Sequence, residues 1–577
     1  MLARAREASQ DVVTQIAEAR RRRTAPLILE LDLTERLVDG VPQGPVSAVL
    51  ALRKASLGMV LEGLRRAARD PRVKALVAKV GGPRSVVGLA RAQELRDAVG
   101  DFRDHGKLAV AWAETFGEGG RGSIPYYLAT AFDQIWIQPS GDVCTTGVAA
   151  HVPFLRGAFD KAGITPQIAK RDEYKNAANM FTEHSFTPAH REATERVVLS
   201  VTEHLVAGIA EARGIDANEV RALIDRAPLF ASEALDAGLV DQLGYRDEVY
   251  ADVRQKVGGD AVLQYLPRYA NSALRQLSKK IGHARDDSIA LVHVTGPIHL
   301  GRSVRQPLAG GSSGAESVTA ALRSATRAKE VKAIVLRVNS PGGSYVASDA
   351  IWREVGLVRK AGKPVVVSMG DVAASGGYFV ATGADAIVAE PGTLTGSIGV
   401  LLGKQVLDGL LEKLGITHEE VAGGEHALMF SPTQEFTESE WDRLNAWLDR
   451  IYDDFTAKVA EGRGLSRERV HEVARGRVWT GADATEHGLV DELGGLELAV
   501  AAAKDRAGLP SSAEPGLRVY PRVPMLARVR PPQSSDDPAA AAARLPFDGW
   551  GAFADVAFRL GLPAYGPLML PGDWYLA

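Results

Sequence analysis

Three short segments bring together residue types able to perform acyl-transfer chemistry. They are Ala373-Ala374-Ser375-Gly376-Gly377, Asn339-Ser340-Pro341-Gly342-Gly343-Ser344 and Glu173-Tyr174-Lys175-Asn176. Ser375 lies between a run that reads as a buried strand, Pro364 to Met369, and one that reads as a helix, Tyr378 to Gly383. A serine at a helix start sits among outward-pointing backbone N–H groups at the positive end of the helix dipole, which suits a nucleophile. The same position suits a plain helix cap. The pattern is near the hydrolase elbow Gly-x-Ser-x-Gly, with Ala373 in place of the first glycine. Gly376 and Gly377 lack side chains, so a substrate backbone is expected to approach closely there.

The Gly342–Gly343 pair directly follows a strand-like run ending at Val338. Adjacent glycines can turn backbone N–H groups outward into an anion-binding nest, as the oxyanion of a tetrahedral intermediate requires; a simple turn is the other reading. A serine hydroxyl also needs a base. Of the twelve histidines, none in the second copy lies in a segment resembling a triad member, although His293, His426 and His487 stay open. A lysine serves if burial lowers its pKa enough to populate the neutral amine. Lys175 is the candidate, against the alternative of a solvated surface charge. Ser397, in Thr393-Leu-Thr-Gly-Ser397-Ile-Gly, either hydrogen-bonds that amine or is a turn serine.

The elements that must position these residues come in two copies. Strand-like runs open at Leu27 and Ser288, and buried-strand patterns recur at Val73–Val80 and Val331–Val338. Three later pairs hold a constant offset of 250 positions: Phe186 with Phe436, Arg213 with Arg463, and Gly238–Gly244 with Gly488–Gly494. A duplicated unit is therefore expected, built of βαβ elements around a largely parallel sheet. The copies have diverged in complementary ways. Ser123 occupies the place of Ser375 but is followed by Ile124-Pro125, and Gly81-Gly-Pro-Arg-Ser85 replaces the second copy's glycine turn. The second copy in turn has Val421–Phe430, without a lysine, where the first has Lys175. One composite site is the expectation.

The domains expected are a polar helix over 1–23, a first unit over 24–269, a linker over 270–287, a second unit over 288–508, and an extension over 509–577. That extension begins rich in Pro, Ala, Arg and Ser and reads as a linker or disordered. It then regains aromatics, with Phe553, Val556, Ala557 and Leu560 on one helical face, for docking on the protein itself or on a membrane surface. With 577 residues, 46% hydrophobic and 24% charged, the chain has material for several cores. A net charge of −3 gives no reason to expect nucleic acid. Cys144 is the sole cysteine, which excludes an internal disulfide and a cysteine-rich metal site. No stretch reaches the roughly 18–20 apolar residues of a membrane span.

Together, the motifs around Gly342–Gly343, Ser375 and Ser397 resemble the signal peptide peptidase A family in its long, duplicated bacterial form, over about residues 25–508. The resemblance implies tandem Clp/crotonase-like α/β domains and a serine–lysine dyad with no metal or cofactor. By position, Ser375 is the nucleophile, Lys175 the base and Ser397 its support. The backbone N–H groups of Gly342, Gly343 and Ser375 are the oxyanion donors. It further implies peptide substrates, with remnant signal peptides as the target, and a homotetramer. Family members usually carry an N-terminal anchor that is not evident here, so peripheral membrane association is expected, with a cytoplasmic location as the alternative. Two other readings are a crotonase-type acyl-CoA enzyme, which wants acidic bases near the nest, and a non-catalytic scaffold.

Overall fold

The computed structural model describes residues 25–34, 37, 56–82, 88–271, 287–306, 310–510, 512–513, 515–521 and 568–569. The expected helix over 1–23, linker residues 272–286 and the apolar face from Phe553 to Leu560 lie outside the described residues.

The first half supplies strands β1 (Leu27–Asp32), β2 (Val73–Lys79), β3 (Leu108–Ala113), β4 (Gln134–Ile137), β5 (Thr165–Lys170), β6 (Gln242–Leu243) and β7 (Val262–Tyr265). Its helices include α1 (Leu57–Arg69), α2 (Leu89–Asp104), α3 (Ser123–Ala129) and α4 (Pro188–Arg213). Six strands form one sheet in the order β6-β4-β3-β2-β1-β7, every pair parallel. The near-continuous apolar run of β2, Val-Lys-Ala-Leu-Val-Ala-Lys, is what a sheet covered on both faces requires.

The second half repeats the plan with β8 (Ser288–Thr295), β9 (Ile298–His299), β10 (Val331–Ser340), β11 (Gly342–Gly343), β12 (Val365–Ala374), β13 (Ala386–Ala389), β14 (Leu394–Gly396), β15 (Leu401–Val406), β16 (Val478–Thr480), β17 (Gly516–Tyr520) and β18 (Leu568–Met569). Its helices include α5 (Tyr345–Lys360), α6 (Gly376–Ala381), α7 (Glu438–Arg463) and α8 (Leu496–Arg506). The sheet runs β16-β14-β12-β10-β8-β17, with β13 also on β12. Only the β14–β16 pair along this path is antiparallel.

The duplication extends to individual hydrogen bonds. Tyr126 Oη donates to Leu239 O at 2.7 Å, and Tyr378 Oη to Leu489 O at 2.8 Å. Arg213 pairs with Asp241 as Arg463 pairs with Asp491. Asp133 accepts from Ala109 N as Asp385 accepts from Val365 N.

The expected boundary at 508 is corrected. Gly516–Tyr520 pairs with β8 just as β7 pairs with β1, so the second sheet extends to Tyr520. This strand is short and surrounded by proline- and alanine-rich sequence, which hid its apolar alternation of Leu517 and Val519.

The halves share a core. One apolar cluster contains Leu89, Leu95 and Val99 of the first copy together with Ile289, Val335 and Ala499 of the second. Glu94 on α2 and Arg337 on β10 form a buried ion pair across the junction. Strand β5 of the first half pairs antiparallel with β15 of the second over six residue pairs.

Candidate active site

Strand β12 ends at Ala374, and α6 begins two residues later at Gly376. Ser375 makes the corner with φ 54° and ψ −116°, a conformation that costs a non-glycine residue on the order of 1–3 kcal/mol and persists only where the surroundings enforce it. Its N–H donates to Gly396 O at 2.8 Å, which ties the corner to the end of β14.

Lys175 comes from the other half, and the β5–β15 ladder explains how. The ladder begins at Lys170 opposite Leu401. Lys175 lies a few residues beyond the end of β5, and Ser397 a few residues before the start of β15. The antiparallel pairing therefore delivers both to one point, beside Ser375. Lys175 Nζ stands 3.0 Å from Ser375 Oγ, and donates to Ser397 Oγ at 2.9 Å and Ser397 O at 3.1 Å. All three residues are buried, Lys175 at 1% exposure. Burial pushes the Lys175 ammonium down to about 7, because a cation is penalised where water is excluded.

The glycine turn departs from expectation. Gly342 N–H donates to Ser340 Oγ at 3.1 Å, and Ser340 Oγ donates on to Gly296 O at 2.7 Å. With the Ser375 N–H also engaged, two of the three expected oxyanion donors are used in holding the corner together. Gly343 N lies beside the first turn of α6, where an added Cβ on Gly376 would come within 3.1 Å of it. The Gly376 N–H belongs to the first turn of α6, whose N–H groups have no intrahelical acceptor.

Gly376 and Gly377 are tightly enclosed. A Cβ on Gly376 would meet Ser348 Oγ at 2.7 Å, and one on Gly377 would meet Ser340 O at 2.5 Å. These glycines let α6 close on the protein's own glycine turn. One edge of β11 pairs with β9 at Ile298, and the other takes β18 antiparallel, Gly342 opposite Met569 and Gly343 opposite Leu568.

The three histidines left open stand elsewhere. His426 bonds Ser439 Oγ, His487 packs edge-on against Trp479, and His293 lies within β8. Asp371, the acid nearest Ser375 in sequence, is taken up by an ion pair with Arg91 and accepts from the Arg91 N–H at 3.1 Å. In the first copy Ser123 Oγ donates to Gly147 O at 2.8 Å. The sequence reading missed Ser340 as a hydrogen-bond partner of the glycine turn and the segment Arg475-Gly476-Arg477, which packs over Lys175. For the last, a signal existed: the offset of 250 positions sets it against Asp225-Arg226-Ala227 of the first copy.

A duplicated α/β fold with a serine on a strained strand–helix corner and an amine buried beside it defines a serine hydrolase of the Clp-protease type. Family models agree: Peptidase family S49 matches residues 101–259 and 358–510, and Clp protease matches 297–390. The chain belongs to peptidase family S49 and is a serine protease. It is 33% identical over 460 residues to a chloroplastic serine protease SPPA of Arabidopsis thaliana, covering 79% of this chain and 66% of that protein. It is 31% identical over 463 residues to Protease 4 of Haemophilus influenzae, covering 78% of this chain and 72% of that one. A putative signal peptide peptidase SppA of Enterococcus faecium is 39% identical over 176 residues, 30% of this chain and 51% of its own.

Proposed function

We propose that the peptidase works by a serine–lysine dyad shared between the two copies. The observation that carries this is the 3.0 Å separation of Lys175 Nζ and Ser375 Oγ in a fully buried setting. Neutral Lys175 takes the Ser375 proton as Oγ attacks the scissile carbonyl. The amine then returns that proton to the leaving nitrogen, so an acyl-enzyme remains and a peptide amine departs. Water, deprotonated by the same lysine, hydrolyses the ester and restores Ser375. Ser397 orients the amine through its hydroxyl and carbonyl. The N–H groups of Gly343 and Gly376 are the donors best placed for the oxyanion.

The substrate is an extended peptide laid antiparallel along β11, the mode in which backbone hydrogen bonds supply affinity and pockets supply selectivity. The antiparallel pairing of Leu568–Met569 with that edge supports this reading, since a segment of the chain's own backbone lies along it in the same mode. Peptides with small and apolar side chains, such as remnant signal peptides, are the proposed targets. A homotetramer in peripheral contact with a membrane is the proposed working form; among the described residues no helix is long and apolar enough to cross a membrane.

Cleavage of such peptides by wild type, Ser375→Ala and Lys175→Ala tests the dyad. Both variants should lose at least about a thousandfold in kcat while folding normally, in line with removal of a nucleophile or its base. Near-normal turnover by either removes the proposal. Sedimentation and flotation on anionic vesicles test the assembly and the membrane contact.

A further inference from the structure

Segment Arg475-Gly476-Arg477 is fastened to both segments that hold the amine. On one side, Arg477 O accepts from Ser397 N at 2.6 Å, and Gly476 N donates to Ile398 O at 2.8 Å. On the other, Arg475 forms an ion pair with Glu173, and both guanidiniums lie over the Tyr174 ring, at 5.6 Å for Arg475 and 4.9 Å for Arg477. Arg477 also reaches Glu192 on α4 at 2.6 Å and stacks over Trp479 at 4.2 Å.

Gly476 lies directly against the lysine, so that an added Cβ would be 2.5 Å from Lys175 N and 2.6 Å from its Cα. Gly399 closes the same contact, since its added Cβ would fall 2.7 Å from Gly476 Cα and 3.3 Å from Lys175 Cδ. Arg475 itself has φ 55°, a left-handed backbone that a non-glycine residue holds only under constraint. A strained residue, a glycine without room for a methyl group and two stacked arginines all converge on the backbone of Lys175.

We infer that Arg475-Gly476-Arg477 is a positioning clasp for the lysine, which locks the Lys175 and Ser397 segments together and seals the amine from water. The inference rests on the reading of Lys175 as the general base. The clasp explains how a base donated by one copy keeps fixed geometry against a nucleophile in the other. It also explains why the amine titrates low: burial alone lowers it, so whatever excludes water sets its protonation. The charged and titratable groups packed around the Lys175 segment are Asp172 and Glu173 beside it, Lys170 on β5, His190 and Glu192 on α4, Tyr452 on α7, and the two arginines. His190 is held down to about 4 and Tyr452 is raised by burial, so neither changes charge near neutrality.

The test is the pH profile of peptide cleavage for wild type, Arg477→Ala, Arg475→Ala and the conservative Arg477→Lys, with Lys175→Ala as control. Wild-type kcat/KM should rise through about pH 7. In Arg477→Ala and Arg475→Ala the limb should move up by about one unit or more toward the ordinary lysine range. Activity should then fall about fivefold or more at pH 7 and largely recover by pH 9, with KM unchanged. Arg477→Lys should restore part of the shift. If Arg477→Ala does not fold, Arg475→Ala and Glu173→Gln carry the same measurement from the exposed side of the clasp. An equal loss at every pH, or an unmoved limb, overturns the inference. If Lys175→Ala itself remains active, the dyad reading fails first; if it is dead and the arginine variants keep the wild-type limb, only the clasp fails.

Discussion

Lys175 carries the largest burden of any single residue. An ordinary lysine titrates near 10.5, and burial holds this one at about 7. The fraction of neutral amine therefore falls about tenfold for each pH unit below 7 and saturates above about 8. Cleavage by wild type should follow that curve, rising from pH 6 and flat above pH 8 to 9; a rate flat from pH 6 to 10 would contradict it. The same shift bears on stability with a definite sign. Between pH 7 and 10.5 the unfolded chain binds a proton that the folded chain does not, so stability contributed at this site rises with pH across that window. Lys175→Met removes the penalty and keeps the bulk. It should raise the melting temperature at pH 7, by an amount corresponding to at most roughly 5 kcal/mol, with the gain shrinking toward pH 10. A variant no more stable than wild type at pH 7 would show that the amine is not held neutral at a cost.

At the scale of elements, the site depends on strand ends. Ser375 leaves β12, the glycine turn leaves β10, and the β5–β15 ladder brings Lys175 to Ser397. The β11 edge that should receive substrate is paired with Leu568–Met569, and Ser375 is fully covered. Deleting residues 545–577 should therefore lower KM for peptides severalfold and leave kcat unchanged. An unchanged KM would mean that this strand does not compete for the substrate edge.

Much of this organisation was legible in the sequence, because repeats that lose different residues expose what each retains. Ser375 and Lys175 stood out from that asymmetry together with the family resemblance, which also singled out Ser397, and both serines lie within 3.1 Å of the Lys175 amine. Other features depended on contacts that no local pattern encodes. Which N–H groups face the nest depends on what Ser340 and Gly396 accept. The role of Gly376 and Gly377 depends on how closely α6 approaches Ser340 and Ser348. Strand β17 was missed because five residues amid proline and alanine carry too little periodicity to stand out.

In the proposed mechanism the whole molecule is one catalytic unit, because its copies cannot separate without parting Lys175 from Ser375. The junction contains the Glu94–Arg337 pair, side chains 2% and 4% exposed, with Arg337 also donating to Ser368 Oγ at 2.8 Å and Met369 O at 3.0 Å. Arg337→Met leaves Glu94 buried without its partner. Loss of one member of such a pair costs about 3–5 kcal/mol, so chemical denaturation should show a marked fall in stability. Replacing both residues with apolar side chains should recover much of the loss. The central claim is that an amine from the first copy activates an alcohol of the second. The rate at which a fluorophosphonate modifies Ser375, followed by peptide mapping across pH in wild type and folded Lys175→Ala, measures that activation without depending on the natural substrate. The account predicts modification at Ser375 that rises through about pH 7 in wild type and is nearly abolished in the variant. Equal rates in the two proteins would contradict it.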